Sequence, residues 1–300
     1  MDLVLQTNCL TKKYGKQIAV NKVSLNIEKG DIYGFIGKNG AGKTTLMKII
    51  SGLIYQDQGE IELFESSNLE KGRKRIGCVI EQPALYPGMT ASQNLIYYNK
   101  LLGIPDNNNV HDVLNIVGLQ NTGKKKTKNF SLGMKQRLSI AISLLGNPDF
   151  LILDEPINGL DPSGIKEIRE LLLKLNFENR ITILISSHIL GELAKIATKY
   201  GIIENGVLVD EFAAVELENR CKKCLSIVVN DSEKAAYIIK NNIKSTDYQV
   251  FDQGKICIYD CLDIPAQINK ELIENDVLVS SICLEGNDIE AYFVKMMGGN

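Results

Sequence analysis

The feature that most constrains the fold is a glycine-rich run at residues 37–44 with the pattern G-x-x-x-x-G-K-T. A short apolar stretch at residues 32–36 precedes it and is typical of a buried strand. Apolar residues after it recur at helical spacing: Leu46, Ile49, Ile50 and Leu53. A strand, a glycine turn and a helix in this order present backbone N–H groups to phosphate at a helix N-terminus. The run therefore predicts a nucleoside triphosphate site in an α/β fold.

The residue types within this loop match the chemistry of phosphate binding. Glycines let consecutive backbone N–H groups turn toward the β- and γ-phosphates. Lys43 supplies a positive charge, and the Thr44 hydroxyl can ligate Mg²⁺. The predicted nucleotide-binding residues of the loop are Gly37, Asn39, Gly40, Ala41, Gly42, Lys43, Thr44 and Thr45.

A pair of carboxylates follows a second buried-strand pattern. Residues 150–153 are entirely apolar, and Asp154 and Glu155 come directly after them. In a triphosphatase the first carboxylate of such a pair orients Mg²⁺, and the second polarises the attacking water as a general base. Either residue could instead be an acid that caps a helix or a turn, but the phosphate loop makes that interpretation the weaker one. We therefore predict Asp154 and Thr44 as metal ligands and Glu155 as the base.

Composition disfavours several other classes of protein. The 300 residues are 44% apolar and carry a formal net charge of −2, which gives no electrostatic basis for nucleic-acid binding. Neither a signal peptide nor an apolar stretch of membrane-spanning length is present. We therefore expect a cytoplasmic chain that is long enough for two domains.

Seven cysteines in a chain without an export signal are expected to be reduced thiols. Cys221 and Cys224 have C-x-x-C spacing and could in principle bind zinc together with Cys257 and Cys261. The second pair has C-x-x-x-C spacing, however, and no other residue pattern supports such a site. The sequence therefore does not favour a metal site in this region.

The segment between the two candidate sites resembles the signature motif of the ABC transporter ATPases. It reads Phe-Ser-Leu-Gly-Met at residues 130–134, and it keeps the serine and the second glycine of the family pattern L-S-G-G-Q as Ser131 and Gly133. Leu132 and Met134 depart from that pattern. In the family this segment opens a helix whose N-terminal amides and serine hydroxyl bind the γ-phosphate held by the opposite subunit.

Four further positions match family elements in order along the chain. The resemblance implies that Tyr14 stacks on adenine and that Gln82 contacts both Mg²⁺ and the attacking water. It also implies that Asp161 belongs to a loop that crosses the dimer and that His188 senses the γ-phosphate. The implied catalytic residues are Lys43, Gln82, Glu155 and His188. Because every catalytic position is filled, we predict an active ATPase rather than an inactive nucleotide-binding subunit.

The resemblance also implies an architecture for residues 1–214. This is an ABC-type P-loop NTPase, with a RecA-like core, an antiparallel β layer and a helical subdomain at about residues 83–147. Strand patterns at residues 3–8 and 23–27 are assigned to the antiparallel layer. The motifs end beyond residue 210, and residues 222–300 predict a small C-terminal α+β domain with a split β-α-β arrangement and a closing helix at 288–294.

The implied function is ATP hydrolysis, with ATP and Mg²⁺, that powers a separate transmembrane permease. One chain carries one phosphate loop and one signature, so the family pattern implies a dimer, expected to be a homodimer, peripheral on the inner face of the cell membrane. The motifs most resemble ATPases of exporters that protect bacteria from peptide antibiotics such as bacitracin and lantibiotics. The alternative is a soluble ABC-type ATPase of iron–sulfur assembly or macromolecule remodelling, although single-cassette members of that kind tend to lack a tail like residues 222–300.

Overall fold

The computed structural model describes residues 2–81, 85–104, 109–286 and 292–293, without the side chains of residues 218–220. The strands are β1 (Leu3–Tyr14), β2 (Gln17–Val23), β3 (Asn26–Glu28), β4 (Ile32–Ile36), β5 (Gln58–Leu63), β6 (Ile76–Val79), β7 (Phe150–Leu153), β8 (Thr182–Ser187), β9 (Lys199–Glu204), β10 (Val207–Ala213), β11 (Cys224–Val229), β12 (Tyr248–Val250), β13 (Lys255–Ile258) and β14 (Val279–Glu285). The α-helices are α1 (Lys43–Ser51), α2 (Leu69–Arg73), α3 (Ala91–Leu101), α4 (Asn109–Ile116), α5 (Leu132–Leu144), α6 (Pro162–Phe177), α7 (Leu190–Leu193), α8 (Ala214–Cys221), α9 (Ser232–Ile238) and α10 (Pro265–Glu274). The chain divides into two compact units, Met1–Ala214 and Val215–Asn300.

A six-stranded sheet forms the centre of the first unit. Its strand order is β10-β9-β4-β8-β7-β6, and every neighbouring pair is parallel except β10 with β9. Strands β4, β7 and β8 are buried along their whole lengths. This burial explains why their sequences are largely apolar runs instead of alternating patterns. The predicted α/β fold is confirmed.

An antiparallel layer is built around the long strand β1, which pairs with β2, β3 and β5. The prediction of one continuous strand at residues 23–27 was wrong, because side chains interrupt the ladder there. The Cys9 amide donates to the Ser24 hydroxyl at 2.9 Å, and the Leu25 amide donates to Thr7 Oγ1 at 2.9 Å. Strand β2 therefore ends at Val23, and β3 begins only at Asn26.

Helix α1 is fixed by a hydrophobic core that it shares with both sheets. Its residues Leu46, Met47, Ile49 and Ile50 are fully buried. Full burial of each such side chain contributes about 1.5–3 kcal/mol, so the helix is firmly positioned. Leu53 does not extend this face as its spacing suggested. Gly52 ends the helix in a left-handed conformation (φ 82°), and Leu53 is exposed.

The segment after β6 is mostly helical, in agreement with its pattern. It contains α3, α4 and α5. Helix α3 begins with a capping box: the Gln93 amide donates to Thr90 Oγ1 at 3.2 Å, and the Thr90 amide donates to Gln93 Oε1 at 3.0 Å.

The second unit is an antiparallel sheet with strand order β12-β13-β11-β14 and two helices, α9 and α10, packed on one face. This is the predicted split β-α-β arrangement of a small α+β domain. Helix α9 continues as a π-helical turn at Ile239–Ile243. The helix predicted at residues 288–294 falls almost entirely outside the described residues.

Candidate active site

The ends of three neighbouring parallel strands carry the candidate catalytic residues. Gly37 follows β4, the pair Asp154 and Glu155 follows β7, and His188 follows β8. Ile36 of β4 is paired with Ser187 of β8, so the phosphate loop and His188 leave the sheet side by side. Open α/β sheets bind their ligands at this carboxyl edge of the strands.

The phosphate loop leaves the first turn of α1 free of side-chain caps. Gly42 stands at the N-cap with φ 108° and no side-chain hydrogen bond satisfies this helix end. A Cβ atom at Gly42 would lie 2.3 Å from the Ala19 carbonyl oxygen, so only glycine fits there. The unbonded N–H groups of the first turn, together with the helix dipole, form an anion site.

Lys43 is 5% exposed, and its ammonium is held by the loop itself. Its Nζ donates to the carbonyl oxygens of Gly37 at 2.6 Å and Lys38 at 3.3 Å. A buried charge held by backbone carbonyls can act as a fixed point charge for phosphate oxygens.

Asp154 lies at the centre of a hydrogen-bonded cluster that joins all three strand ends. Its Oδ2 accepts from Thr44 Oγ1 at 2.7 Å, and its Oδ1 accepts from Ser186 Oγ at 2.6 Å. Ser186 is fully buried, and its hydroxyl also accepts from the Glu155 amide at 2.9 Å. The sequence prediction did not include Ser186, although a hydroxyl at the end of an apolar strand beside the site was a usable signal.

Glu155 is held between a lysine and a histidine. Its Oε2 lies 2.7 Å from His188 Nδ1, and its Oε1 lies 3.6 Å from Lys43 Nζ. The backbone at Glu155 is left-handed (φ 50°), an uncommon conformation for this residue type and one that clusters at functional sites. Oε1 is buried and has no hydrogen-bond partner among the described residues, so its capacity to accept a hydrogen bond is unused.

A cavity of about 290 Å³ lies over the phosphate loop. It is lined by Tyr14, Gln17, Ala19, Lys38, Asn39, Gly40, Gly42, Lys43, Thr44, Thr45 and Glu155. Tyr14 is half exposed at its rim, where a planar base could stack on the ring. Of the predicted loop residues, Ala41 is buried and Gly37 holds the Lys43 ammonium.

The signature residues are at the surface and not in that cavity. Ser131 is the N-cap of α5, and its Oγ accepts from the Met134 amide at 3.2 Å. Both Ser131 and Leu132 are exposed. Within the part of the chain that the structure describes, neither Ser131 nor Gly133 lines the phosphate-loop cavity. The helix N-terminus that they form is therefore open to a second molecule.

The remaining predicted site residues are Asp161 and Gln82. Asp161 is the exposed N-cap residue of α6, and its side chain makes no capping hydrogen bond. Gln82 lies outside the described residues. The residue before it, Glu81, is paired with Lys48 of α1 at 2.5 Å.

Comparison with known proteins identifies the family. A family model for ABC transporters matches residues 20–158. The bacitracin transport ATP-binding protein BcrA of Bacillus licheniformis is 44% identical over 303 aligned residues, which cover 100% of this chain and 99% of that protein. The chain is an ABC transporter ATP-binding protein. ABC ATP-binding domains hydrolyse ATP, so this ABC protein is an ATPase.

Other relatives agree with this assignment of the ABC protein. The lantibiotic transport ATP-binding protein SrtF of Streptococcus pyogenes is 46% identical over 209 residues, which cover 69% of this chain and 90% of the relative. A solved dimeric post-hydrolysis state of the ATP-binding cassette MJ0796, bound to ADP and phosphate, has a TM-score of 0.62 at 26% identity and covers 70% of this chain and 98% of that chain. Within the described ranges of the ABC protein, no helix combines the length and the apolar character needed to cross a membrane.

Proposed function

We propose that this ABC protein is the ATPase subunit of an exporter that removes a peptide antibiotic, or a similar amphiphile, through a separate transmembrane permease. The observation that carries the proposal is the full-length match to a bacitracin transport ATP-binding protein, because it includes the C-terminal unit as well as the ATPase unit. Relatives named for lantibiotic transport and linearmycin resistance support the same class of cargo. None of these names favours the alternative of a soluble remodelling or iron–sulfur ATPase.

The phosphates of ATP are proposed to bind between the first turn of α1 and Lys43. Three observations support this position: the uncapped helix end, the buried ammonium and the cavity above them. Adenine would then stack on Tyr14 at the rim of the same cavity.

The donor set also fits Mg²⁺. The Thr44 hydroxyl and the Asp154 carboxylate converge at 2.7 Å, and both are hard oxygen ligands of the kind that Mg²⁺ prefers. Ser186 holds the other carboxylate oxygen and thereby fixes its direction. A bound Mg²⁺ would neutralise charge on the phosphate oxygens. Gln82 remains a proposed third ligand on the strength of the family resemblance alone.

Glu155 is proposed as the base that accepts a proton from the attacking water. Its Oε1 is buried and has no hydrogen-bond partner among the described residues, and it lies 3.6 Å from the ammonium that would hold the γ-phosphate. In this proposal the base would lie next to the phosphorus that water must reach. His188 Nδ1 lies 2.7 Å from the second carboxylate oxygen, and this contact supports its proposed role in sensing phosphate at the same place.

Two copies of the chain are proposed to complete each other's sites. Subunits of this family dimerise, as the solved cassette dimer illustrates. The exposed N-terminus of α5, with Ser131 and Gly133, would bind the γ-phosphate held by the partner copy. The dimer would act at the inner face of the membrane, where the permease, and not the ATPase, contacts the cargo.

The test is to replace the gene in the native host with a version that encodes Glu155→Gln. We expect the minimum inhibitory concentrations of bacitracin or of a lantibiotic to fall several-fold, as far as in a gene deletion. The matched control is Glu170→Gln, which changes an exposed glutamate on α6 and should leave resistance unchanged. Unchanged resistance to every peptide antibiotic tested in the deletion strain would overturn the proposed cargo class.

A further inference from the structure

The C-terminal sheet brings sulfur and carboxylate groups together on one of its faces. Side chains alternate along β11, and Leu225, Ile227 and Val229 pack against the helices, so Cys224 must lie on the opposite face. Its partner across β14 is Glu285. On β13, Ile256 and Ile258 face the helices, which places the intervening cysteine, Cys257, on the same opposite face.

These three side chains converge closely enough to share one ion. One ligand atom from each of Cys224, Cys257 and Glu285 lies within 4.8 Å of the others. Ligand atoms around a tetrahedral zinc ion are roughly 3.3–3.8 Å apart, from bond lengths of about 2.0–2.3 Å. Shifts of less than about an ångström per side chain would therefore complete the geometry, and rotamer adjustments supply such shifts.

The two thiols are nearly inaccessible to solvent, whereas the carboxylate is exposed to solvent. Cys224 and Cys257 are 6% and 5% exposed, and Glu285 is exposed. Burial, followed by the hydrogen bond and charge of Cys257, raises the pKa of Cys224 to about 12. Paired sulfur ligands of this kind favour soft and borderline cations such as Zn²⁺.

We propose that Cys224, Cys257 and Glu285 bind one divalent cation of the zinc class. The fourth position would be taken by water or by Cys283, whose Sγ lies 3.8 Å from Glu285 Oε1. This set differs from the four cysteines that the sequence spacing suggested. It keeps Cys224 and Cys257 but gains its third ligand from a strand about thirty residues further along the chain, an arrangement that β-sheet pairing alone creates.

The charges around the cluster balance when a metal is bound. Each thiol loses its proton as its sulfur–metal bond forms, so binding releases two protons to solvent. Two thiolates, one carboxylate and one divalent cation carry a net charge of −1. Lys255 Nζ lies 2.7 Å from Glu285 Oε2 and offsets that charge. The lysine also keeps the carboxylate ionised, because its hydrogen bond lowers the pKa of Glu285.

The experiment uses reduced, metal-free full-length protein titrated with Co²⁺, a spectroscopic probe for zinc sites. We expect one Co²⁺ per chain with the absorption of tetrahedral thiolate ligation, and displacement of Co²⁺ by Zn²⁺. Cys257→Ser should weaken binding by at least about tenfold and reduce the thiolate bands. Glu285→Gln changes an exposed side chain and disturbs no core, so the variant should fold normally. We expect it to bind the ion more weakly and to keep both thiolate absorption bands.

Cys261→Ser is the matched control, because it removes a thiol of the same unit outside the cluster. It should bind Co²⁺ with unchanged affinity. The proposal is overturned if the unmodified chain takes up no Co²⁺ or Zn²⁺, or if Cys257→Ser and Glu285→Gln bind the ion as tightly as the unmodified chain. Formation of a Cys224–Cys257 disulfide with no metal uptake after reduction would likewise assign the pair to redox chemistry instead.

Discussion

At the scale of single residues, the proposed role of Glu155 as the base can be tested by one substitution. Glu155→Gln keeps the size of the side chain and its contact with His188 but cannot accept a proton from water. We expect ATP hydrolysis to fall by about 10²- to 10⁴-fold while ATP affinity is retained. Steady-state phosphate release and equilibrium binding of a labelled nucleotide measure the two quantities separately.

The same assay on Glu170→Gln should give the rate of the unmodified chain, since that exposed glutamate pairs with an exposed lysine on its own helix. If Glu155→Gln hydrolysed ATP at an undiminished rate, another group would have to be the base. Loss of ATP affinity together with turnover would indicate a structural role for the Glu155–Lys43 pair instead.

At the scale of secondary-structure elements, the N-terminus of α5 is expected to have both a structural and a catalytic role. Ser131→Ala removes the acceptor for the Met134 amide and should cost about 1 kcal/mol of helix stability. It should also slow hydrolysis, because the hydroxyl is proposed to contact the phosphate held by the partner copy. Asp231→Ala removes an equivalent cap from α9 in the other unit and should leave hydrolysis unchanged. Equal rates for the two variants would contradict a catalytic role for Ser131.

The turn before β12 should lose stability in acid. Burial alone would raise the pKa of Asp260, but hydrogen bonds from the Ser245 hydroxyl and the Thr246 and Asp247 amides outweigh it and lower the pKa from 3.8 to about 2. A carboxyl with a lowered folded pKa stabilises the fold above its unfolded pKa, and that contribution is lost as the pH falls from about 4 to 2.

Asp260→Asn removes the source of this pH dependence. In the unmodified chain, hydrogen exchange at residues 245–247 should accelerate, relative to the variant, between about pH 5 and about pH 2. At about pH 5 the variant should exchange faster, because a neutral amide is the weaker acceptor. Parallel pH profiles in the two proteins would contradict this origin of the effect.

The sequence could predict the features that depend on local residue order. The glycine-rich loop before α1 and the carboxylates after β7 each need particular residue types at fixed spacing, and the structure has the helix and the strand where those patterns indicated. Features that depend on strand pairing could not be predicted from the sequence. Ser186 reaches Asp154 only because β7 lies beside β8, and Cys224 meets Glu285 only through the register of β11 and β14. The interruption between β2 and β3 at Ser24 likewise depends on a contact with the neighbouring strand, the hydrogen bond from the Cys9 amide.

At the scale of the whole molecule, the residues proposed to bind ATP lie at two separate places in one chain. The phosphate loop and the carboxylates converge at the sheet edge, whereas Ser131 and Gly133 form an exposed helix end outside the cavity. An isologous dimer of two such chains would contain two complete sites, each made from both copies. Hydrolysis is therefore expected to require two chains.

Mixing two inactive variants tests this claim most directly. Lys43→Ala removes the charge of the phosphate loop. Gly133→Asp places a negative charge at the signature, where a Cβ would meet no atom closer than 3.9 Å, so we expect the fold to be retained. Random pairing makes half of the dimers mixed, and each mixed dimer has one intact site of two. We expect two inactive samples to recover about a quarter of the unmodified rate when they are mixed. A mixture as inactive as its components, or full activity in Gly133→Asp alone, would contradict it.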